Sequence, residues 1–372
     1  MSANLARTAG GWWVVTPAGL IRLGLPVTTT ARLLADRAAL EQAISAAQAV
    51  AAATPREAVP AESLDLLSPV TTPARVVAQA VNYRSHARES GLDPEKVPPV
   101  YFRKASHSLT GPTGDIIRPP GVGFLDYEVE LGLVIGAGLP VGTTVTDARL
   151  GRYVAALVVT NDVSARQIQL TKTQFYEAKS YPTFTPVGPW LTLVDAADLA
   201  RLDALRLTLS VNGQVRQDST TADMIVSPAH ALTLLARFQP LAPGDLLLTG
   251  TPGGTALKAP AKAAEKLAGL LPPATKWKLF FARQARNPRY LRDGDVITAA
   301  IASADGRLDL GTQRNTVIGK TPCPPRRYCR RPPPRYCHRR RRPTSCCWTR
   351  PAPGRTAWPR SGYRTPATTG AA

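Results

Sequence analysis

The sequence predicts a mixed, mainly-β (α+β) fold, and three observations support it. From about residue 72 to 319, short apolar runs alternate with Gly/Pro turns at a spacing that suits strands with non-local pairing. Stretches with helical spacing are few. No Gly-rich loop follows a strand to open a helix, as a doubly wound nucleotide fold requires: Gly250-Thr251-Pro252-Gly253-Gly254 lacks that pattern and the P-loop lysine.

Residues 1–71 read as a small leading α/β module. Gly11-Trp12-Trp13-Val14-Val15 and Leu20-Ile21-Arg22-Leu23 predict two short strands around a turn at Pro17-Ala18-Gly19. Residues 30–53 are rich in Ala and Leu, with Leu33, Leu34, Ala38, Leu40 and Ile44 at helical spacing. Asp65-Leu66-Leu67-Ser68-Pro69-Val70 then leads into the main domain, 72–319. Strands are expected at 115–117, 127–135, 154–159, 205–211, 246–248, 296–301 and 316–318, with Asn212-Gly213 as a hairpin turn. Helices are expected at 228–238 and around 261–271. Residues 320–372 form an Arg/Pro/Cys-rich tail without hydrophobic periodicity and are expected to be disordered.

The formal charge of +20 misleads unless it is localised. Residues 321–372 hold 13 Arg, no Lys and no acid, which leaves 33 basic groups against 26 acidic ones in the first 320 residues. The body is therefore only mildly basic and shows no basic stripe, so nucleic acid is not its expected partner. A polyanion-binding role for the tail, through Arg339 to Arg342, is the rival from a different functional class; it predicts salt-dependent binding lost on truncation at Gly319. The abrupt change of composition also suggests a GC-rich gene read out of frame, which resequencing its end would test. All five cysteines (Cys323, Cys329, Cys337, Cys346 and Cys347) lie in the tail, so the body has neither a disulfide framework nor a thiol metal site. The start lacks a basic region followed by an apolar one, and no apolar run approaches the ~20 residues of a membrane helix. The default expectation is a cytoplasmic protein.

Four segments carry candidate chemistry. Asp126-Tyr127-Glu128-Val129-Glu130 alternates acids, so on one strand all three would project to the same face, where their repulsion calls for a positive partner such as a hard divalent cation. The same alternation also suits a solvated edge strand. In Asn82-Tyr83-Arg84-Ser85-His86-Ala87-Arg88-Glu89, His86 and Glu89 share one face of a helical turn; a carboxylate there raises the basicity of the imidazole, unless the two form only a surface pair. A buried strand ends at Asn161-Asp162, with Arg166 and Gln169 just beyond; Asp162 or Ser164 would equally serve as a helix cap. Lys179 precedes a rigid Pro/Gly loop and is placed either to hold a substrate carboxylate or on the surface.

Taken together, the order and wording of these segments resemble the fumarylacetoacetate hydrolase family. The resemblance covers roughly 72–319 and includes Pro99-Val100-Tyr101-Phe102-Arg103-Lys104, Leu248-Thr249-Gly250-Thr251-Pro252-Gly253 and Gly311-Thr312-Gln313-Arg314-Asn315. It implies a fumarylacetoacetase-like β-roll catalytic domain, a homodimer, and Mg²⁺ or Mn²⁺ held by Glu128, Glu130 and Asp162. It implies His86 and Glu89 as the catalytic dyad, Lys179 as catalytic and substrate-binding, and Arg166, Gln169 and Thr251 as substrate-binding. Two departures stand out. Gln167 occupies a position where the family usually has Asp, and a longer segment between Gly254 and Leu291 includes Trp277, Phe280 and Phe281.

The expected activity is metal-dependent hydrolysis of a C–C bond in a catabolic acylpyruvate or fumarylacetoacetate-like acid. The ion would act as Lewis acid, and His86 would deprotonate the attacking water. Isomerisation, decarboxylation and hydration of 2-oxo acids are the alternatives that one sequence leaves open.

Overall fold

In a computed structural model the strands follow the chain as β1 (Ala3–Thr8), β2 (Gly11–Thr16), β3 (Gly19–Arg22), β4 (Val76–Ala80), β5 (Val100–Lys104), β6 (Leu109–Thr110), β7 (Ile116–Arg118), β8 (Leu125–Asp126) and β9 (Val129–Ile135). They continue as β10 (Val154–Asn161), β11 (Ser164–Ala165), β12 (Thr185–Pro186), β13 (Leu191–Leu193), β14 (Leu205–Val211), β15 (Gln214–Thr220), β16 (Leu246–Leu248), β17 (Val296–Ser303) and β18 (Asp309–Gly319). The structure describes residues 2–172, 174–259 and 272–319. The helix expected around 261–271 and the tail 320–372 lie outside the described residues.

Nine strands form one sheet in the order β3-β2-β1-β13-β10-β9-β16-β4-β5, and five form another in the order β15-β14-β17-β18-β7. With few helices beside them, this is the mixed α+β fold that the sequence predicts. Strand β9 sits near the middle of the larger sheet, between β10 and β16, and every one of its seven residues is buried. Its odd positions, Val129, Leu131, Leu133 and Ile135, enter the main core with Leu205, Leu207 and Leu209 of β14 and Ile297 and Ile301 of β17. Its other face, through Val134, joins Val158, Leu246 and Val76 in a second core that includes Leu33, Leu40 and Ile44.

Those last residues come from the leading segment. Strands β1–β3 extend the nine-stranded sheet through the antiparallel pairing of β1 with β13, so residues 1–71 add strands and a helical cover to the sheet that carries β9. The helix expected over 30–53 is two: α1 (Thr30–Ala35) and α2 (Arg37–Ala53). Asp36 parts them because its carboxylate accepts from the Ala39 N–H at 2.9 Å, a cap contributing about 1 kcal/mol. Strand β1 was not expected, since Ala3-Asn4-Leu5-Ala6-Arg7-Thr8 has no strong β-branched or aromatic signal. The hairpin at Asn212-Gly213 forms as expected, with positive φ of 51° and 79° at its two central residues.

The acidic run is not one strand. Tyr127 and Glu128 interrupt it: β8 leaves the large sheet to pair with β11, matching Asp126 with Ser164, while β9 begins at Val129. No described helix is long and apolar enough to cross a membrane.

Candidate active site

The register of β9 and β10 assembles the site. Glu130 lies opposite Thr160 and Val129 opposite Asn161, so one step further out Glu128 faces Asp162, whose N–H donates to the Glu128 carbonyl at 2.8 Å. Side chains two apart share a face. Glu128, Glu130 and Asp162 therefore converge: one oxygen from each lies within 4.8 Å of the others, and all three residues are buried. Asp126 turns to other partners, accepting from the N–H groups of Tyr127, Ala256 and Leu257 at 2.9, 2.9 and 3.1 Å.

Three basic side chains meet these four carboxylates. Arg166 opens α4 (Arg166–Thr171) and forks its guanidinium, with Nε on Asp126 at 2.8 Å, Nη1 on Gln169 at 2.8 Å and Nη2 on Glu128. Lys179 ends α5 (Phe175–Lys179) and bridges Glu128 at 2.6 Å and Asp162 at 2.8 Å. Two of its three N–H donors are thus taken by the acids, leaving one for a substrate. Lys104, at the end of β5, donates to Asp162 and, at 2.9 Å, to the Phe184 carbonyl.

Charge compensation is uneven. Burial alone would push the Glu128 carboxyl up, but Arg166 and Lys179 outweigh it and hold it at about 2. Glu130 has no basic partner within ion-pair distance among the described residues, and its carboxylate accepts the Gly250 N–H at 2.7 Å. Burial, with repulsion from Asp162 and Glu128, pushes its carboxyl well above the ordinary range. The two lysines diverge for a related reason. Burial pulls Lys104, with its one carboxylate, below the ordinary lysine value, whereas Asp162 and Glu128 together overcome burial at Lys179 and raise it. Among the described residues four buried carboxylates meet three basic side chains, and the converging oxygen donors of Glu130, Glu128 and Asp162 fit a hard divalent ion.

His86 and Glu89 both lie on α3 (Arg84–Glu89), but no hydrogen bond joins them among the described residues. The His86 Nδ1 atom is buried with no hydrogen-bond partner among the described residues. Burial lowers the affinity of this imidazole for a proton, so it stands as a neutral ring, ready to accept one. Glu89 instead accepts from the Gly254 N–H at 2.7 Å and from Lys258 at 2.8 Å. The Thr251 hydroxyl also points elsewhere than expected of a substrate ligand: it donates to the Val129 carbonyl at 3.0 Å and accepts from Gln217 at 2.8 Å. Gln217 in turn accepts the Val129 N–H at 2.9 Å, so this pair locks the loop 249–254 onto the start of β9.

The loop must run close. Gly254 has φ of +102°, and a Cβ there would sit 2.1 Å from the Arg216 carbonyl, so only glycine fits. Gln167 ties down the segment before Asp126, accepting the Gly123 N–H at 2.8 Å. The long segment after Gly254 contributes a helix, Pro273–Ala285, whose Phe281 stacks on Phe124 at 5.9 Å; the Phe124 carbonyl accepts the Arg166 N–H at 2.9 Å. Lys104 was missed as a site residue. Its only sequence signal was membership of the 99–104 motif.

Residues 75–318 match the family described as fumarylacetoacetate (FAA) hydrolase C-terminal. The chain belongs to the fumarylacetoacetate hydrolase family. It is 36% identical over 206 residues to a mitochondrial oxaloacetate tautomerase of Bos taurus, covering 55% of this chain and 64% of that protein. It is 35% identical over 250 residues to a 2,4-didehydro-3-deoxy-L-rhamnonate hydrolase of Sphingomonas sp. (strain SKA58), covering 67% of this chain and 75% of that one. The crystal structure of a probable 2-hydroxyhepta-2,4-diene-1,7-dioate isomerase from Mycobacterium abscessus superposes with a TM-score of 0.61 at 28% identity, covering 87% of this chain and all of that one. This fumarylacetoacetate hydrolase family member thus has enzyme relatives named as a tautomerase, a hydrolase and an isomerase.

Proposed function

We propose that this chain is a divalent-metal-dependent hydrolase that cleaves a C–C bond in an acylpyruvate-like 2-oxo or 1,3-dicarbonyl acid. The observation that carries this reading is the convergence of Glu128, Glu130 and Asp162 in one buried cluster of oxygen donors. The 35% identity to a hydrolase over 250 residues supports it. Mg²⁺ or Mn²⁺ held by these three carboxylates would supply Lewis-acid polarisation of the substrate oxygens. Around it, Lys179 and Arg166 supply fixed positive charge for a substrate carboxylate and for charge that develops on the substrate, at no cost in reorganisation. Gln169 holds one arm of Arg166 in place. Neutral His86 takes a proton from the attacking water. A homodimer, implied by the resemblance, and a cytoplasmic setting complete the reading.

Tautomerisation or isomerisation of a 2-oxo acid is the second reading, favoured by the 36% identity to a tautomerase and the full coverage of the isomerase structure. Here His86 would move a proton on carbon rather than on water. A panel of acylpyruvates and enolisable 2-oxo acids, incubated with Mg²⁺ or Mn²⁺ and followed by mass and by ultraviolet absorbance, separates the two. Hydrolysis adds water and yields two fragments, whereas tautomerisation changes absorbance at constant mass. Constant mass across the panel would remove the hydrolase reading.

Metal binding has its own expected signature. Glu128, held at about 2, contributes stability above the ordinary carboxylate range that is lost as pH falls towards that value. Glu130 has the opposite sign: its raised pKa means stability falls as pH rises through its folded value. A cation competes with the proton on Glu130, so the gain in Tm from Mg²⁺ or Mn²⁺ should grow as pH rises. At one hundred times Kd that gain corresponds to about 2.7 kcal/mol. A Tm indifferent to both ions at every pH would exclude these carboxylates as the ion's site.

A further inference from the structure

Glu89 has its two carboxylate oxygens engaged, and neither bond goes to His86. Oε2 accepts the Gly254 N–H at 2.7 Å and Oε1 accepts the Lys258 ammonium at 2.8 Å. One turn back on the same helix, the His86 Nδ1 is buried with no hydrogen-bond partner among the described residues. A buried, unpaired ring nitrogen three residues from a carboxylate is costly, and turning that carboxylate would relieve it. Lys258 is fixed beside Glu89 by the backbone as well as by its charge, since the Ala259 N–H donates to the Glu89 carbonyl at 3.0 Å.

We propose that Lys258 is a positioning residue that holds Glu89 off His86 in the resting protein, so that the two form their hydrogen bond only when Lys258 lets go. The side chains of Lys258 and Glu89 are 47% and 29% exposed, and an ion pair so exposed holds only weakly, so the exchange is within easy thermal reach. The loop that carries Lys258 is also the one that reads the acid cluster: Gly250 N–H binds Glu130, and Ala256 and Leu257 N–H groups bind Asp126. The proposal rests on His86 being the base of the reaction.

The test needs no substrate, so it stands or falls apart from the assignment of the reaction. The chain has four histidines, and selective ¹⁵N-histidine labelling of the full-length protein gives a spectrum simple enough to follow the His86 ring, assigned by its loss in His86→Gln. Wild type and Lys258→Arg are expected to lack a downfield Nδ1–H proton signal from His86. Lys258→Met is expected to show it, and Lys258→Met combined with Glu89→Ala to lose it again. A signal already present in wild type, none in Lys258→Met, or one that survives Glu89→Ala would each overturn the proposal. An unchanged Tm gain with Mg²⁺ in Lys258→Met checks that the acid cluster is intact.

Discussion

Replacing Arg166 by methionine is expected to destabilise the fold by about 3–5 kcal/mol, the loss found when one member of a buried ion pair is removed. The guanidinium is almost completely buried and reaches Asp126, Glu128 and Gln169 at once. Methionine fills much of the space, so the effect is electrostatic rather than a cavity. The two acids left behind are not equal. Asp126 keeps three backbone N–H donors, whereas Glu128 keeps Lys179 and the repulsion of its neighbours. The depression of the Glu128 carboxyl to about 2 owes its largest favourable part to Arg166, so in Arg166→Met that carboxyl should rise and the protein should weaken most at neutral pH and above. Arg166→Lys should be intermediate, because an ammonium keeps the charge but cannot place three donors in one plane. Urea unfolding at two pH values measures all of this. A loss under about 1 kcal/mol at neutral pH would mean that Arg166 is no keystone of the cluster.

How much of this site can be read without coordinates follows from which contacts are local. The alternation of Glu128 and Glu130 is local, and both carboxylates reach one site, although Glu128 lies just before β9 rather than on it. The arrival of Asp162 is not local. It depends on a pairing register across a chain separation of about thirty residues, and one step of slip would turn Asp162 to the other face. Asp126 shows the limit of pattern reading: it fits the alternation but belongs to a different strand pair, because β11 captures it. Lys104 illustrates the same limit from the other side. A lysine that ends a strand reads as an ordinary surface residue, and only the fold reveals that its ammonium is sealed against Asp162. The run 30–53 reads as one helix by its spacing, and the structure breaks it at Asp36, whose carboxylate caps α2. The partners of Glu89 were beyond reach for the same reason as Asp162, since Lys258 lies 169 residues away.

Substituting His86 by glutamine should cost about 10²–10⁴-fold in kcat on whichever 2-oxo acid the protein turns over, the range expected when a positioned base is lost. Glutamine retains the size and polarity of the ring, so the helix that carries it should persist. Because burial lowers the His86 pKa, the wild-type ring is neutral at pH 7, and its activity should fail only as pH drops through that lowered value. A base must be unprotonated to act, so kcat/KM should rise with pH on the acid side and then level off; in His86→Gln that limb should vanish. The carboxylates that would hold the cation are untouched, so the Tm gain with Mg²⁺ or Mn²⁺ should survive at full size. The two readouts together separate chemistry from structure. Activity lost with the metal response kept assigns the proton transfer to His86. Activity within a few-fold of wild type would move the base elsewhere, to Lys179 or to a water held by the acid cluster, whichever of hydrolysis and tautomerisation the chain performs.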